Sequence, residues 1–272
     1  MRTWVLPIWL ALAGCERRTA AVDNAVQPAA DDAAAIRKLF DAAEACADRY
    51  HCPPLEELQQ RAARPRELRV LEVAFDLMTD PKVATHERMF KMASATARAW
   101  CAARSTDGHK ISIDDERELR KQVMRLLARP DNVVPAHGFV EYLSDARQIF
   151  EAEALNPARS DDEVASAIRG LRTREPDLTT VTKWLSASDE RTAVVGAALL
   201  DMIDHDNLAQ RDELAMLLDF ARRPDSVPAA ARLVVQHAAD HDDAAFKPVL
   251  QAFAHHGDAS VRELAAGARP SP

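Results

Sequence analysis

The residues with the clearest potential for chemistry are histidines near the C-terminal end of the sequence. His237 and His241 lie four residues apart, and His205 lies upstream in an Asp-His-Asp tripeptide. Imidazole is a common zinc ligand, and two histidines four residues apart share one face of a helix. The glutamate that follows the first histidine in helical zinc proteases is replaced by Ala238. The three histidines are therefore the candidate ligands of an alternative metal site.

The same segment has a second interpretation, a joint between two helices. A shift of 36 residues places the Asp-His-Asp tripeptide at 240–242 over the one at 204–206. Aspartate commonly caps the start of a helix, and histidine can interact with the last carbonyl groups of the preceding helix. We favour the joint, and we expect no bound metal and no other cofactor.

Motifs of known enzyme classes are missing from the sequence. It contains no Gly-x-Ser-x-Gly, Walker or dinucleotide-binding pattern. The segment TDGHKISIDDE (106–116) has some residues of a calcium-binding loop, but it places Arg104 at the first ligand and His109 at the glycine position. We interpret it as a polar loop with a Ser or Asp cap. The sequence predicts no catalytic residue, and we expect that the protein is not an enzyme.

The chain opens with the apolar segment MRTWVLPIWLALAGC. A single cation, Arg2, precedes an uncharged run over residues 4–13. This run is shorter than the roughly 20 residues that span a bilayer, and its order is typical of a secretory signal. The segment Leu12-Ala13-Gly14-Cys15 resembles the lipobox of bacterial lipoproteins.

The resemblance to bacterial lipoproteins implies that residues 1–14 are a removable signal peptide and that Cys15 is lipidated. More than one acyl chain gives stable membrane attachment. Residues 15–30 lack a sustained apolar period and are predicted to form a flexible tether. Glu16 replaces the Asp that favours the inner membrane in enteric lipoproteins. The resemblance thus favours the outer membrane, with the protein facing the periplasm.

Three cysteines remain besides Cys15: Cys46, Cys52 and Cys101. A secreted protein meets an oxidising compartment, where a disulfide is expected more than a metal site. The two prolines after Cys52 force a turn that can bring it back towards Cys46. We favour this bridge, with Cys101 buried in a helix. A bridge from either cysteine to Cys101 is the alternative, because three cysteines allow three single-bridge pairings.

Composition predicts an all-α fold. The 272 residues are 47% hydrophobic but only 5% aromatic, and they include only 7 glycines. Abundant Ala, Leu, Glu and Arg favour helix, and apolar residues recur at helical spacing from residue 31 onward. Ser160 and Glu163 form a capping box ahead of one such stripe. The net charge of −8 argues against a general nucleic-acid surface.

Four aspartates mark a repeated helix register: Asp131, Asp189, Asp225 and Asp258. Apolar residues lie four, five and eight positions before each of them, at spacings that share one helix face. The position five residues before is occupied by Leu126, Trp184, Phe220 and Phe253 in turn. This shared register predicts core packing rather than an aromatic binding stripe, and each aspartate is predicted to cap the next helix.

The last three of these aspartates are 36 and 33 residues apart, about the length of two short helices with their turns. The segment DASVRELAA (258–266) resembles the second helix of a HEAT repeat. That resemblance implies an α-solenoid of HEAT-like helical hairpins over residues 114–272. The longer interval between Asp131 and Asp189 requires an inserted or a degenerate helix pair. Residues 31–113 are predicted to form an irregular helical N-terminal region that caps the array.

These features predict a membrane-anchored HEAT-like repeat lipoprotein that acts as a protein-interaction or scaffolding module in the bacterial cell envelope. An unknown protein partner would bind along the solenoid groove. The N-terminal lipid would anchor the protein to the membrane. No nucleic-acid partner is expected. The alternative function is a metal-binding periplasmic protein, or a metal-dependent enzyme, that uses the His/Asp-rich turns.

Overall fold

The computed structural model describes residues 29–47, 51–65, 67–84, 86–105, 111–172, 178–200, 209–241 and 244–268. The predicted signal peptide, Cys15, His205 and the first residues of the predicted polar loop (106–110) lie outside these ranges. Every regular element within them is helical, which confirms the predicted all-α fold class. None of the helices in the described part of the chain is long and apolar enough to cross a bilayer.

The described ranges contain fifteen α-helices. They are α1 (Ala29–Glu44), α2 (Pro53–Ala62), α3 (Leu68–Thr79), α4 (Pro81–Ala84), α5 (Glu87–Arg104), α6 (Ile113–Leu127), α7 (Val133–Val140), α8 (Ala146–Leu155), α9 (Asp161–Arg172), α10 (Leu178–Leu185), α11 (Glu190–Ala198), α12 (Ala209–Ala221), α13 (Pro228–Asp240), α14 (Lys247–Ala252) and α15 (Ala259–Gly267). The first helix begins at Ala29, so it includes the last two residues of the predicted tether.

Most of these helices pack in pairs, as hairpins: α1 with α2, α3 with α5, α6 with α7, α8 with α9, α10 with α11, and α14 with α15. First helices of neighbouring hairpins contact each other along α1–α3–α6 and α10–α12–α14, and second helices do so along α2–α5, α7–α9 and α11–α13–α15. The result is a two-layered helical repeat. The N-terminal region, predicted to be irregular, also contains two hairpins, and the short α4 lies in the turn of the second.

The predicted core register is confirmed. Leu126, Trp184, Phe220 and Phe253 are all buried. The residues eight positions before each aspartate, Val123, Val181, Leu217 and Leu250, are buried as well. The rings of Phe220 and Phe253 meet edge to face with their centroids 6.2 Å apart, so the stripe joins consecutive hairpins. The aromatic residues therefore hold the repeat together from inside.

The additional helix pair that the repeat interval required is the hairpin of α8 and α9. Its turn runs from Asn156 to Ser160, and Ser160 rather than an aspartate precedes the second helix. The Glu163 carboxylate accepts hydrogen bonds from the backbone N–H of Ser160 (2.7 Å) and from its hydroxyl (2.9 Å), as predicted for a capping box. This unit is therefore a full hairpin with a different cap.

Two of the four predicted aspartate caps are confirmed. Asp189 accepts a hydrogen bond from the backbone N–H of Thr192 at 2.9 Å. Asp258 accepts from Ser260 (2.9 Å) and Val261 (3.1 Å). The polar loop also ends as predicted, because Ser112 accepts from the N–H of Asp115 and so caps α6. These side chains satisfy backbone N–H groups that have no partner within the helix.

The other two predicted caps are wrong, and proline is the reason. Pro228 starts α13 three residues beyond Asp225, so Val227 takes the cap position. Pro130 starts a 3-10 turn that contains Asp131, and α7 begins only after it. Proline favours the first position of a helix, because its fixed φ suits the helix and it has no N–H to satisfy. Each helix therefore starts beyond its aspartate.

Hydrogen bonds also connect the turns of several neighbouring hairpins. The acceptors are backbone carbonyl groups at the end of a first helix or in the turn that follows it. Arg159 donates to Leu127 O (2.9 Å), and Arg191 donates to both Asn156 O (2.9 Å) and Arg159 O (3.0 Å). Carbonyl groups at a helix C-terminus have no partner within the helix, and the helix dipole attracts a cation there. Each arginine therefore satisfies the end of the preceding hairpin.

The same connection recurs towards both ends of the array with other donors. The Asn132 side chain donates to Met78 O at 3.0 Å, and Arg88 donates to Cys46 O. Near the C-terminus the backbone N–H of Gly257 donates to Pro224 O at 2.8 Å. A Cβ atom on Gly257 would lie 2.7 Å from that oxygen, so a side chain there would force the two turns apart. We call this set of contacts the turn interlock.

The turn interlock predicts a stability loss when its central arginine is removed. The Arg191→Ala variant should lose about 2 kcal/mol of unfolding free energy, since it leaves two carbonyl groups without a charged donor. Urea denaturation followed by circular dichroism measures this loss. Arg169→Ala removes an exposed arginine from α9 and should change stability by less than about 0.5 kcal/mol. Equal stability of the two variants would contradict a structural role for the interlock.

Candidate interaction groove

The candidate metal ligands His237 and His241 do lie together, at the end of α13. Their rings meet edge to face with centroids 4.6 Å apart. His237 Nε2 lies 2.8 Å from Glu213 Oε1, a carboxylate oxygen of α12, and the His241 ring stacks on Phe246 with centroids 4.5 Å apart. Within the described ranges no group of three His, Cys, Asp or Glu side chains is arranged to hold a metal ion.

The interpretation of this segment as a joint is confirmed where the structure describes it. Helix α13 ends at Asp240, and the backbone N–H of His241 donates to His237 O at 3.4 Å. Glu213 is fully buried and His237 is 5% exposed, so their contact attaches α12 to α13 from within. The contact between this carboxylate and His237 is buried, and the two histidines help to connect α12, α13 and the turn before α14.

The favoured cysteine pairing is also confirmed. Cys46 and Cys52 form a disulfide, with their Cα atoms 5.8 Å apart. Cys101 is a free and fully buried thiol on α5. Burial raises the pKa of Cys101 to about 12, against the opposing effect of Arg104 and Arg98. The thiolate is the reactive form of cysteine, so Cys101 is chemically inert in the folded protein.

A second constellation was not found from the sequence. His137 Nδ1 lies 2.9 Å from the Ser166 hydroxyl, and His137 Nε2 lies 3.8 Å from a Glu153 carboxylate oxygen. Serine, histidine and a carboxylate are the residue types of a hydrolase triad, but His137 is 4% exposed and Ser166 is 8% exposed. His137 lies on α7, Ser166 on α9 and Glu153 on α8, and no local sequence motif links the three residues.

The electrostatics of this constellation favour a structural role. Burial disfavours the charged form of Glu153, but the nearby His137 and the hydrogen-bonded, positively charged Arg159 outweigh burial and lower the pKa of Glu153. Arg159 lies 2.6 Å from Glu153 and also donates to Leu127 O. Through Arg159 the cluster is connected to the turn interlock, and it joins the hairpin of α6 and α7 to the hairpin of α8 and α9.

An open groove lies between α9 and α11, beside the turn interlock. Its volume is about 340 Å³. Val164, Val194 and Val195 contribute apolar surface, and the carboxylates of Asp161 and Glu190 are exposed at its rim. Arg191 also lines the groove, but its guanidinium group donates to the carbonyl groups of the preceding turn. The groove thus combines an apolar floor with an acidic rim.

The charge of the groove stays negative when its surroundings are counted. The two turns that carry it, residues 159–163 and 189–191, contain five carboxylates and two arginines. Each helix N-terminus adds roughly half a positive charge, so the two helices offset about one of the three excess negative charges. The backbone N–H of Thr192 lowers the pKa of Asp189, which favours its ionised form. A ligand for this groove needs a cationic group beside an apolar one.

The cysteine assignments predict a defined order of thiol reactivity. Cys101 should resist alkylation in the native protein and react once the protein is unfolded without reductant, because only burial protects it. Cys46 and Cys52 should react only after reduction. Alkylation followed by peptide mass spectrometry measures each cysteine separately. Alkylation of Cys101 in the native protein, or of Cys46 before reduction, would refute the assignment.

Comparison with known proteins identifies no relative. No protein-family model matches the chain, and no curated protein and no solved structure matches it either. The groove between α9 and α11 lies beside the connecting turns of the repeat and is the candidate interaction site.

Proposed function

We propose that this chain is a lipid-anchored helical-repeat protein of the bacterial cell envelope. In this proposal it acts as a scaffold that binds a basic segment of a partner protein in the groove between α9 and α11. The observation that carries the proposal is the acidic rim of Asp161 and Glu190 above three valines. A lysine or arginine flanked by a small aliphatic side chain satisfies both parts of such a site.

The repeat architecture supports a binding role. Its core and its turn interlock use residues that point between hairpins, whereas Asp161 and Glu190 are exposed. A surface that is separate from the core can change its specificity without loss of the fold. The interlock also holds α9 and α11 in a fixed relation through Arg191, so the groove is preorganised and a partner needs to order little of it.

The envelope location is supported by two independent features. The first is the N-terminal sequence, in which a short apolar run leads to Cys15. The second is the disulfide between Cys46 and Cys52, a bond that persists in oxidising compartments and is rare in the cytosol. Lipid at Cys15 followed by a polar tether would hold the repeat near the membrane and leave its groove accessible to a partner in the periplasm.

The lipid anchor is tested by metabolic labelling with a fatty acid in a bacterial host. The wild-type chain should incorporate the label and sediment with membranes. The Cys15→Ser variant should lose the label and the association with membranes, because it lacks the cysteine sulfur that is acylated. Cys101→Ala is the matched control, since it removes a buried thiol that takes no part in the anchor. A labelled Cys15→Ser variant would exclude lipidation at this residue.

The groove is tested by photo-crosslinking in native membranes. A photoreactive residue in place of Ala165, an exposed position one turn after Asp161, should capture a partner through a basic segment. The double variant Asp161→Lys/Glu190→Lys should abolish the crosslink, because the rim then repels the cation. Mass spectrometry identifies the partner and the crosslinked peptide.

The control is the double variant Asp114→Lys/Asp212→Lys. It makes the same change of charge at exposed first-turn positions of α6 and α12, away from the groove. This control should retain the crosslink. The proposed binding role would be overturned if the Asp161→Lys/Glu190→Lys variant captured the partner as well as the wild type does. It would also be overturned if no reproducible partner were captured.

A further inference from the structure

A second opening lies at the turn of the first hairpin, next to the disulfide. It has a volume of about 160 Å³ and is bounded by the end of α1, the start of α2 and the first turns of α5. Its apolar lining is Ala43, Cys52, Leu55, Met92 and Ala95. The size matches apolar protein cavities of about 150 Å³, which stay dry and accept a molecule such as benzene.

The apolar character of this cavity is built into the fold. Cys52 is 3% exposed, and its sulfur is bonded to Cys46, so it offers neither a charge nor a thiol proton. Met92 is 8% exposed and presents a flexible thioether that adapts to the shape of a ligand. The cavity therefore offers an apolar space for part of one hydrocarbon chain.

Two cations line the same cavity, Arg88 and Lys91. Arg88 is fixed in place because it donates to Ala43 O at 3.4 Å and to Cys46 O. Lys91 is 69% exposed and pairs with Glu87, which lies outside the lining and is 80% exposed. An exposed ion pair of this kind contributes little stability and exchanges readily with another anion. The lining therefore carries positive charge beside an apolar interior.

We propose that this cavity binds a free medium-chain carboxylate, with the hydrocarbon chain beside Met92 and the carboxylate at Lys91 and Arg88. Charge complementarity selects the anionic head group, and the small volume admits a single hydrocarbon chain. The site lies on α1, α2 and α5 and is separate from the groove between α9 and α11. Its test does not depend on the proposed protein partner.

The probes are octanoate, octanol and octylamine, titrated calorimetrically into the full chain in lipid nanodiscs. Octanoate should bind more tightly than octanol, and octylamine should bind most weakly. Ala95→Phe fills the cavity from an exposed position and should weaken octanoate binding at least tenfold. Ala102→Phe places the same side chain at another exposed position of α5 and should leave binding unchanged.

Reversal of the charge at Lys91 measures the contribution of the carboxylate head group to octanoate binding. Lys91→Glu should weaken octanoate binding by about fivefold and leave octanol binding unchanged, since an exposed charge pair is worth up to about that factor. Lys121→Glu reverses a similarly exposed lysine on α6 and should have no effect. The proposal is overturned if octanol or octylamine binds as tightly as octanoate. It is also overturned if Ala95→Phe binds like Ala102→Phe, or if empty nanodiscs take up the same amount of probe.

Discussion

Backbone carbonyl groups at the ends of helices are the constraint on which this array depends. Each hairpin leaves such groups exposed at its turn, and burying them without a donor would cost free energy. At several of these turns the next hairpin supplies the donor: Arg159, Arg191 and Asn132 do so with side chains, and Gly257 does so with its backbone. Hydrophobic burial alone would allow hairpins to slide, whereas these bonds fix the position of each turn relative to the last.

The sequence predicted the parts of the fold that depend on local spacing. Trp184, Phe220 and Phe253 could be assigned to the core because each lies at the same distance before a turn. The hairpin of α8 and α9 escaped that register, because Ser160 replaces the aspartate and the polar Asn156 lies four residues before it, where the other units have an apolar residue. Proline displaced two of the predicted caps, since it determines where a helix starts more strongly than a neighbouring aspartate does.

The candidate sites were less predictable, because they join residues from different hairpins. Asp161 and Glu190 belong to separate units, and they share one rim only because α9 and α11 line the same groove in the folded protein. The contact of His137 with Ser166 likewise spans two helices with no motif between them. By contrast, the disulfide was predictable, because Cys46 and Cys52 are close in sequence and a proline turn follows. Local patterns therefore predict turns, and packing between repeats creates the surfaces.

The same arginines that hold the turns together also shape both openings. Arg191 lines the groove and Arg88 lines the apolar cavity, yet each donates to carbonyl groups of the preceding turn. The hydrogen bonds to these carbonyl groups occupy part of each guanidinium group, so the exposed neighbouring residues determine the charge that a ligand meets. At the groove these neighbours are carboxylates, and at the cavity the exposed neighbour is Lys91. One structural device thus supports surfaces of opposite charge, because the interlock fixes the backbone and leaves the rim residues free to differ.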